Sequence, residues 1–231
     1  MNKCLRVQYP NHEILNQMPI ILNELTPCEV RILIWNIQET EEDLKKFLNV
    51  SEKSLHDLLS GINHAKRRKQ KIVTNLLLGM LSSNALRIYY SAEGKPILPT
   101  FDGHISISHS GDYVVLIFHL TKIVGVDIEI PDERVINISS RFINESEYLW
   151  ASISKETTFS LIWGVKESIF KAIGGGGIDF KKNIIVSQPY ENMAEKGKGC
   201  AIFSKNELIQ NFQYHFRYLE SYLLVYTIAE N

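Results

Sequence analysis

The sequence predicts an α+β protein with mixed or mostly antiparallel sheets. Three observations predict it. Two long segments, 65–86 and 157–173, carry apolar residues at helical spacing. Two short apolar runs, His104–His109 and Tyr113–His119, are joined by the polar link Ser110-Gly111-Asp112, as in a hairpin. The C-terminal stretch then strings together CAIFS, FQYHFRYL and YLLVYTIA, which read as an antiparallel meander.

Taken in order, VRILIWNI at 30–37 reads as a buried strand. Helices follow from residue 51, with Ser51 or Ser54 as N-cap. In the first long helix the residues at 72, 73, 76, 77, 80 and 81 form the apolar stripe. SAEGKPILP at 91–99, punctuated by Gly94, Pro96 and Pro99, is a turn or loop. Beyond the hairpin, Lys122–Ile130 is a third strand. Ser139–Ser152 reads as a helix, and Thr157–Ile173 as a longer one that the tetraglycine 174–177 stops. NIIVSQ opens the closing strands. YVVLIFHL (113–120) and YLLVYTIA (222–229) echo one another, each placing a Tyr before an apolar strand.

Composition sets bounds on function. A chain of 231 residues makes one large domain or two small ones. Lys plus Arg is 25 and Asp plus Glu is 26, a formal charge of −1, which disfavours bulk charge attraction to nucleic acid or acidic lipid. The 3 cysteines, Cys4, Cys28 and Cys200, are dispersed, without a CxxC pair, and read as reduced cytosolic thiols. The N-terminus MNKCLRVQYPNHEIL lacks a signal-peptide core, and no apolar run reaches membrane-span length. A soluble cytoplasmic protein is expected.

Four features carry possible chemistry. In Gly125-Val126-Asp127-Ile128-Glu129, strand alternation sends Asp127 and Glu129 to one face and Val126 and Ile128 to the core. Paired carboxylates repel, and hard oxygen ligands at this spacing suit Mg²⁺; the alternative is a strand face bearing two solvated acids. On the long helix, Trp163, Glu167 and Lys171 fall at i, i+4 and i+8 on one face. Glu167 is placed to add a third carboxylate and Lys171 to neutralise phosphate, against the plain reading of a surface Glu–Lys pair. Ser106-Ile107-Ser108-His109-Ser110-Gly111 offers donors for phosphate oxygens; adjacent strand residues face opposite ways, so Ser108 and His109 do not make a nucleophile pair. Lys66, Arg67, Arg68, Lys69 and Lys71 make a local basic patch, read as a solvated helix face, a holder of one ligand phosphate, or a nucleic-acid contact that no interleaved aromatic supports. P-loop, Rossmann, GxSxG and HExxH patterns are absent.

The ordered set GKP (94–96), SISHSG (106–111), VGVDIE (124–129), SRFINESEY (140–148) and WGVKESIFKAIG (163–174) closely resembles the 4′-phosphopantetheinyl transferases, in the larger Sfp type rather than the short trimeric one. The resemblance covers about residues 60–180. It implies two similar α/β halves in a pseudo-twofold arrangement, 1–120 and 121–231, with the metal site in the second half and the active site at their interface. It implies transfer of 4′-phosphopantetheine from coenzyme A to a serine of an apo acyl or peptidyl carrier protein, releasing adenosine 3′,5′-bisphosphate. Asp127, Glu129 and Glu167 would be the Mg²⁺ ligands. Glu167 would double as general base and Lys171 would stabilise the departing phosphate. Ser108 and His109 match phosphate-contacting positions, Lys95 and Pro96 the loop beside the adenine, and Arg67 or Arg68 the basic residues that bind the 3′-phosphate. Glu147 matches an acidic family position. A monomer with no nucleic-acid or membrane partner is implied.

Two positions depart from the pattern. Asn75 stands where relatives commonly place a phosphate-binding Arg, which shifts that task toward Arg67, Arg68 and His109. The tetraglycine is richer in glycine than the usual end of this helix. The competing reading is a non-catalytic coenzyme A or nucleotide-binding module on the same fold, since a fold alone does not dictate activity.

Overall fold

The computed structural model describes residues 20–230 apart from 49, 82–87, 93, 100 and 191–194. The N-terminal reading at 1–15, Cys4 and the predicted end of the first long helix at 82–86 lie outside the described residues. In chain order the elements are β1 (Ile20–Leu25), β2 (Arg31–Asn36), α1 (Glu41–Phe47), α2 (Glu52–Leu59), α3 (Ala65–Gly79), β3 (Tyr89–Tyr90), β4 (Pro96–Ile97), β5 (His104–Ser110), β6 (Tyr113–His119) and β7 (Val124–Glu129). Then follow α4 (Arg134–Asn137), α5 (Glu145–Ala151), α6 (Lys155–Ile173), α7 (Phe180–Asn183), β8 (Ile184–Val186), β9 (Lys196–Lys205), β10 (Leu208–Leu219) and β11 (Tyr222–Ala229). No helix among the described residues is long and apolar enough to cross a membrane.

The α+β class holds. One sheet runs β1-β2-β6-β5 and a second runs β7-β11-β10-β9-β8, with every pairing antiparallel. Strand alternation builds three apolar layers. Leu33, Trp35, Val114 and Leu116 meet Ile72, Val73, Leu76 and Leu77 of α3 on the outer face of the first sheet. The alternate residues Ile32, Ile34, Val115 and Ile117 meet Val126, Ile128, Leu224 and Ile228 between the sheets. Phe159, Ile162, Val165 and Ile169 seat α6 on the far face of the second sheet against Phe203, Tyr214 and Val225. Two observations explain how closely α6 lies on β7. At Gly125 a Cβ would fall 1.8 Å from the Ser168 carbonyl oxygen, so only glycine permits the approach. The helix then ends at Gly174, whose φ of 64° is the left-handed stop expected of the tetraglycine.

β5 and β7 are edge strands of different sheets, joined by serine hydroxyls at alternate positions. Ser106 Oγ accepts from the Val126 N–H at 3.1 Å, and Ser108 Oγ from the Ile128 N–H at 3.3 Å. Ser110 Oγ donates to Glu129 Oε2 at 3.1 Å. The row of serines therefore satisfies edge donors and holds the two sheets in register.

Some expectations shift. Ser51, not Ser54, caps α2. The predicted helix Ser139–Ser152 is broken: a 3₁₀ turn at Ser139–Arg141 precedes α5, which Asn144 and Glu147 start with a reciprocal capping box. The 91–99 turn contains a short pairing, Tyr90 opposite Pro96, around Gly94. β1, α1, α4 and α7 are additional to the predicted elements.

Candidate active site

The basic run resolves by helical phase. Arg67, Gln70, Lys71 and Thr74, at i, i+3, i+4 and i+7, line one wall of a cavity of about 490 Å³. The residues between them face elsewhere. Arg68 grips Glu41 with two hydrogen bonds of 2.9 and 2.8 Å, and holds that carboxyl down at about 2. Lys66 pairs with Asp112 at 3.4 Å, and Lys69 donates to the Glu39 carbonyl. Of the two arginines expected at a phosphate, Arg67 therefore lines the cavity and Arg68 does not. Asn75 donates to the Lys71 carbonyl at 2.8 Å, one turn back on its own helix.

The opposite walls come from the other predicted segments. Lys95 and Pro96 enter from the β3–β4 turn, and His109 from the end of β5. Phe170, Lys171 and Gly174 close the cavity from α6. Lys95 donates to the Ala172 carbonyl and packs on Gly174, tying the turn to the end of α6. Burial lowers the Lys71 and Lys95 ammonium groups from their ordinary values. It also lowers the His109 imidazole, helped by the charges of Lys171 and Arg67. Lys71 Nζ stands 5.3 Å from the centroid of the Tyr90 ring. Lys71 and Tyr90 were missed as individuals, although the i+4 offset from Arg67 to Lys71 was available.

Asp127 and Glu129 line a neighbouring groove rather than the wall of this cavity. Asp127 is only 4% exposed, while Glu129 is exposed. Lys171 Nζ, on the cavity wall, reaches Asp127 Oδ1 at 2.7 Å and donates to Ser108 Oγ at 2.9 Å. Burial, and then the charge of Asp127, push the Glu167 carboxyl up to about 7, with Glu129 adding to the same effect. Glu129 itself is raised by burial and by Asp127. Ser108, expected at a phosphate, is instead buried between Asp127, Lys171 and β7 and is not part of the cavity wall. On the other side of the acids a groove of about 280 Å³ is lined by Asp127, Glu129, Arg134 and Trp163. Trp163 is braced edge-on by Phe142 at 5.1 Å.

Among the described residues no group of three or more His, Cys, Asp or Glu stands close enough to hold a metal ion as placed. The donor chemistry nevertheless fits Mg²⁺. Asp127, Glu129 and Glu167 carry the hard carboxylate oxygens that Mg²⁺ prefers, and burial first, then the charge of Asp127, raises the Glu129 and Glu167 carboxyls.

Glu147 lies away from this chemistry. It is wholly buried with Lys166, their charges 2.8 Å apart. Lys166 Nζ also donates to the carbonyls of Phe142, Phe180 and Ile184. Glu147 accepts from the backbone N–H groups of Asn144 and Val186. The pair thus joins α5, α6 and β8, and fixes the rotation of the helix that carries Glu167 and Lys171.

A cavity lined by cations thus lies next to carboxylates beside the seam of two antiparallel sheets. Residues 123–222 match the model of the 4′-phosphopantetheinyl transferase superfamily. A 4′-phosphopantetheinyl transferase, gsp, from Aneurinibacillus migulanus is 42% identical over 87 residues, covering 36% of each chain. The Sfp transferase of Bacillus subtilis (strain 168) is 36% identical over 101 residues, covering 42% of this chain and 45% of its own. A third, psf-1 from Bacillus pumilus, is 26% identical over 170 residues, 69% of this chain and 70% of that one. The aligned stretches span less than half the length of the first two relatives.

Proposed function

We propose that the protein transfers the 4′-phosphopantetheine group of coenzyme A to a serine of an apo acyl or peptidyl carrier protein, with Mg²⁺, releasing adenosine 3′,5′-bisphosphate. One observation carries the reading: Lys171 lies on the wall of a cavity lined by Arg67, Lys71, Lys95 and His109, and at the same time reaches Asp127. A phosphate chain seated against the cations would therefore end at the acids. The chain is read as two halves, 1–120 and 121–231, with the active site at their interface, acting as a cytoplasmic monomer without nucleic-acid or membrane partners.

In this reading Asp127, Glu129 and Glu167 hold Mg²⁺. When bound, the ion neutralises the diphosphate and polarises its β-phosphorus. Arg67, Lys71 and His109 take the 3′-phosphate, and Lys95 with Pro96 borders the adenine. The carrier serine oxygen attacks the β-phosphorus, and the bond from that phosphorus to the bridging oxygen breaks. The serine proton passes to a Glu167 carboxylate oxygen, directly or through water. Lys171 offsets the negative charge on the leaving phosphate. Ser108 acts by positioning Lys171. The groove beside Trp163 leaves the carrier a separate approach to the acids.

The test is incubation with coenzyme A, Mg²⁺ and a panel of apo carriers, read by intact mass. The expected product is a carrier heavier by about 340 Da, the mass of the transferred group. Asp127→Ala should abolish that gain while leaving the fold intact. Binding of coenzyme A without turnover on any carrier would favour the non-catalytic module instead.

A further inference from the structure

The three serines of β5 meet β7 at alternate positions, and they do not all do the same thing. Ser106 Oγ accepts from the Val126 N–H at 3.1 Å and has no carboxylate partner among the described residues. Ser108 and Ser110 each reach an acid. Ser108 Oγ lies 3.2 Å from Asp127 Oδ1, and Ser110 Oγ lies 3.1 Å from Glu129 Oε2. The match follows from strand period: side chains two residues apart on β5 meet side chains two residues apart on β7.

Counting hydrogens fixes the direction of the buried bond. A serine hydroxyl has one hydrogen and two lone pairs. Ser108 Oγ accepts from the Ile128 N–H at 3.3 Å and from Lys171 Nζ at 2.9 Å. Both lone pairs are taken, so the hydrogen goes to Asp127 Oδ1. Lys171 Nζ donates to the same oxygen at 2.7 Å. Oδ1 is thus held from two sides, and both Ser108 and Asp127 are buried. Oδ2 takes no hydrogen bond among the described residues, and lies toward Gly164 of α6, where an added Cβ would stand 3.9 Å from it. Glu129 repeats the pattern. Its Oε2 is held by Ser110, and its Oε1 takes no hydrogen bond among the described residues. Each strand acid therefore has one oxygen fixed by β5 and one left over.

We propose that Ser108 and Ser110 are positioning residues for the divalent cation, each holding one carboxylate oxygen of β7 so that the other is offered to the ion. The inference rests on reading Asp127, Glu129 and Glu167 as the ligands. A carboxylate that ligates a metal is oriented by hydrogen bonds from the surrounding protein, and losing such a bond costs about 10–100-fold in metal affinity. Holding the side chain in place also removes rotamer freedom that binding would otherwise have to freeze. A hydroxyl suits this task because it is neutral. It orients the carboxylate without competing for it as a cation does.

The experiment titrates Mn²⁺ alone, a hard cation with the same oxygen preference, into the full chain without coenzyme A, following free Mn²⁺ by electron paramagnetic resonance. Ser108→Ala should weaken binding about tenfold or more and Ser110→Ala several-fold. Ser110→Thr keeps the hydroxyl and should bind within about twofold of the parent. On a Glu129→Ala background, Ser110→Ala should have no further effect, because Ser110 acts through that carboxylate. Ser106→Ala loses only a bond of the seam. It should lower the Tm and leave Mn²⁺ affinity unchanged, which separates positioning from seam strength. Should Ser108→Ala fail to fold, the Ser110 series decides. Parent-like Mn²⁺ affinity in the alanine variants, with Asp127→Ala losing the ion, overturns the proposal and leaves the ligand reading standing. No binding by the parent, or equal binding by the parent and Asp127→Ala, overturns the ligand reading and the proposal with it.

Discussion

Lys171 Nζ lies 2.7 Å from Asp127 Oδ1, so an ammonium group flanks the carboxylate proposed to take Mg²⁺. Lys171 and the ion then share one acid, and each reduces the other's hold on it. Lys171→Met separates the two roles. The variant should need less Mg²⁺ for half-maximal rate, since a competing cation is gone. Its kcat should fall by about 100-fold or more, since charge on the leaving phosphate loses its partner. Mg²⁺ titrations of initial rate measure both. A variant with unchanged kcat would remove Lys171 from the chemistry.

Glu167 ties stability to pH. Its carboxyl is raised from 4.5 to about 7 in the folded chain by burial and by Asp127. Below 4.5 it is protonated, folded or unfolded, and contributes nothing. Between 4.5 and about 7 the unfolded chain ionises first, so the folded state loses stability as pH rises through this window. A shift of this size is worth on the order of 3 kcal/mol above pH 7. Glu167→Gln should therefore raise the Tm of the metal-free protein at pH 8 and leave it nearly unchanged at pH 4. Transfer should be lost at both. Saturating Mg²⁺ should stabilise the parent more than the variant at pH 8.

Arg67 and Arg68 are neighbours in sequence with different tasks. Arg67→Ala and Lys71→Ala should raise the KM for coenzyme A by about tenfold, with a smaller change in kcat, because both line the cavity. Arg68→Ala should leave that KM unchanged and alter acid stability instead. Its hydrogen bonds hold Glu41 at about 2, so the pair's contribution is present above 4.5 and disappears as pH falls toward 2. The variant's acid-unfolding profile should be flatter through that range than the parent's. Steady-state kinetics and acid titration by circular dichroism separate the two residues.

What was legible in the sequence and what was not follows from the range of each interaction. Asp127 beside Glu129, and Glu167 one turn before Lys171, are local patterns that survive folding. The serines at 106, 108 and 110 were visible as a phosphate-binding string. Their use as a seam depended on β7 lying alongside, a tertiary fact. Arg68 was inseparable from Arg67 until Glu41, from a helix that went unread, claimed it. The N-x-x-E signature at Asn144 and Glu147 was present but masked by apolar residues on both sides, which read as one continuous helix. The role of Glu147 was out of reach because its partner lies 19 residues further along.

The Glu147–Lys166 pair gives the sharpest structural expectation. Both side chains are wholly buried, and burial lowers the Lys166 ammonium from its ordinary value despite Glu147. Removing one partner strands the other charge in the core. Glu147→Leu and Lys166→Met should each cost about 3–5 kcal/mol. The double variant should recover part of that loss, since two apolar side chains no longer bury an unpaired charge. Lys166 also satisfies three backbone carbonyls, and these keep the recovery incomplete. Because the pair sets the rotation of α6, a double variant that folds should still transfer more slowly than the parent. Urea unfolding of the four proteins gives the coupling energy, and kcat on the double variant reports the helix placement. Additive losses would mean the two charges are solvated separately, and that α6 takes its orientation from the apolar contacts of Phe159, Ile162 and Val165 alone.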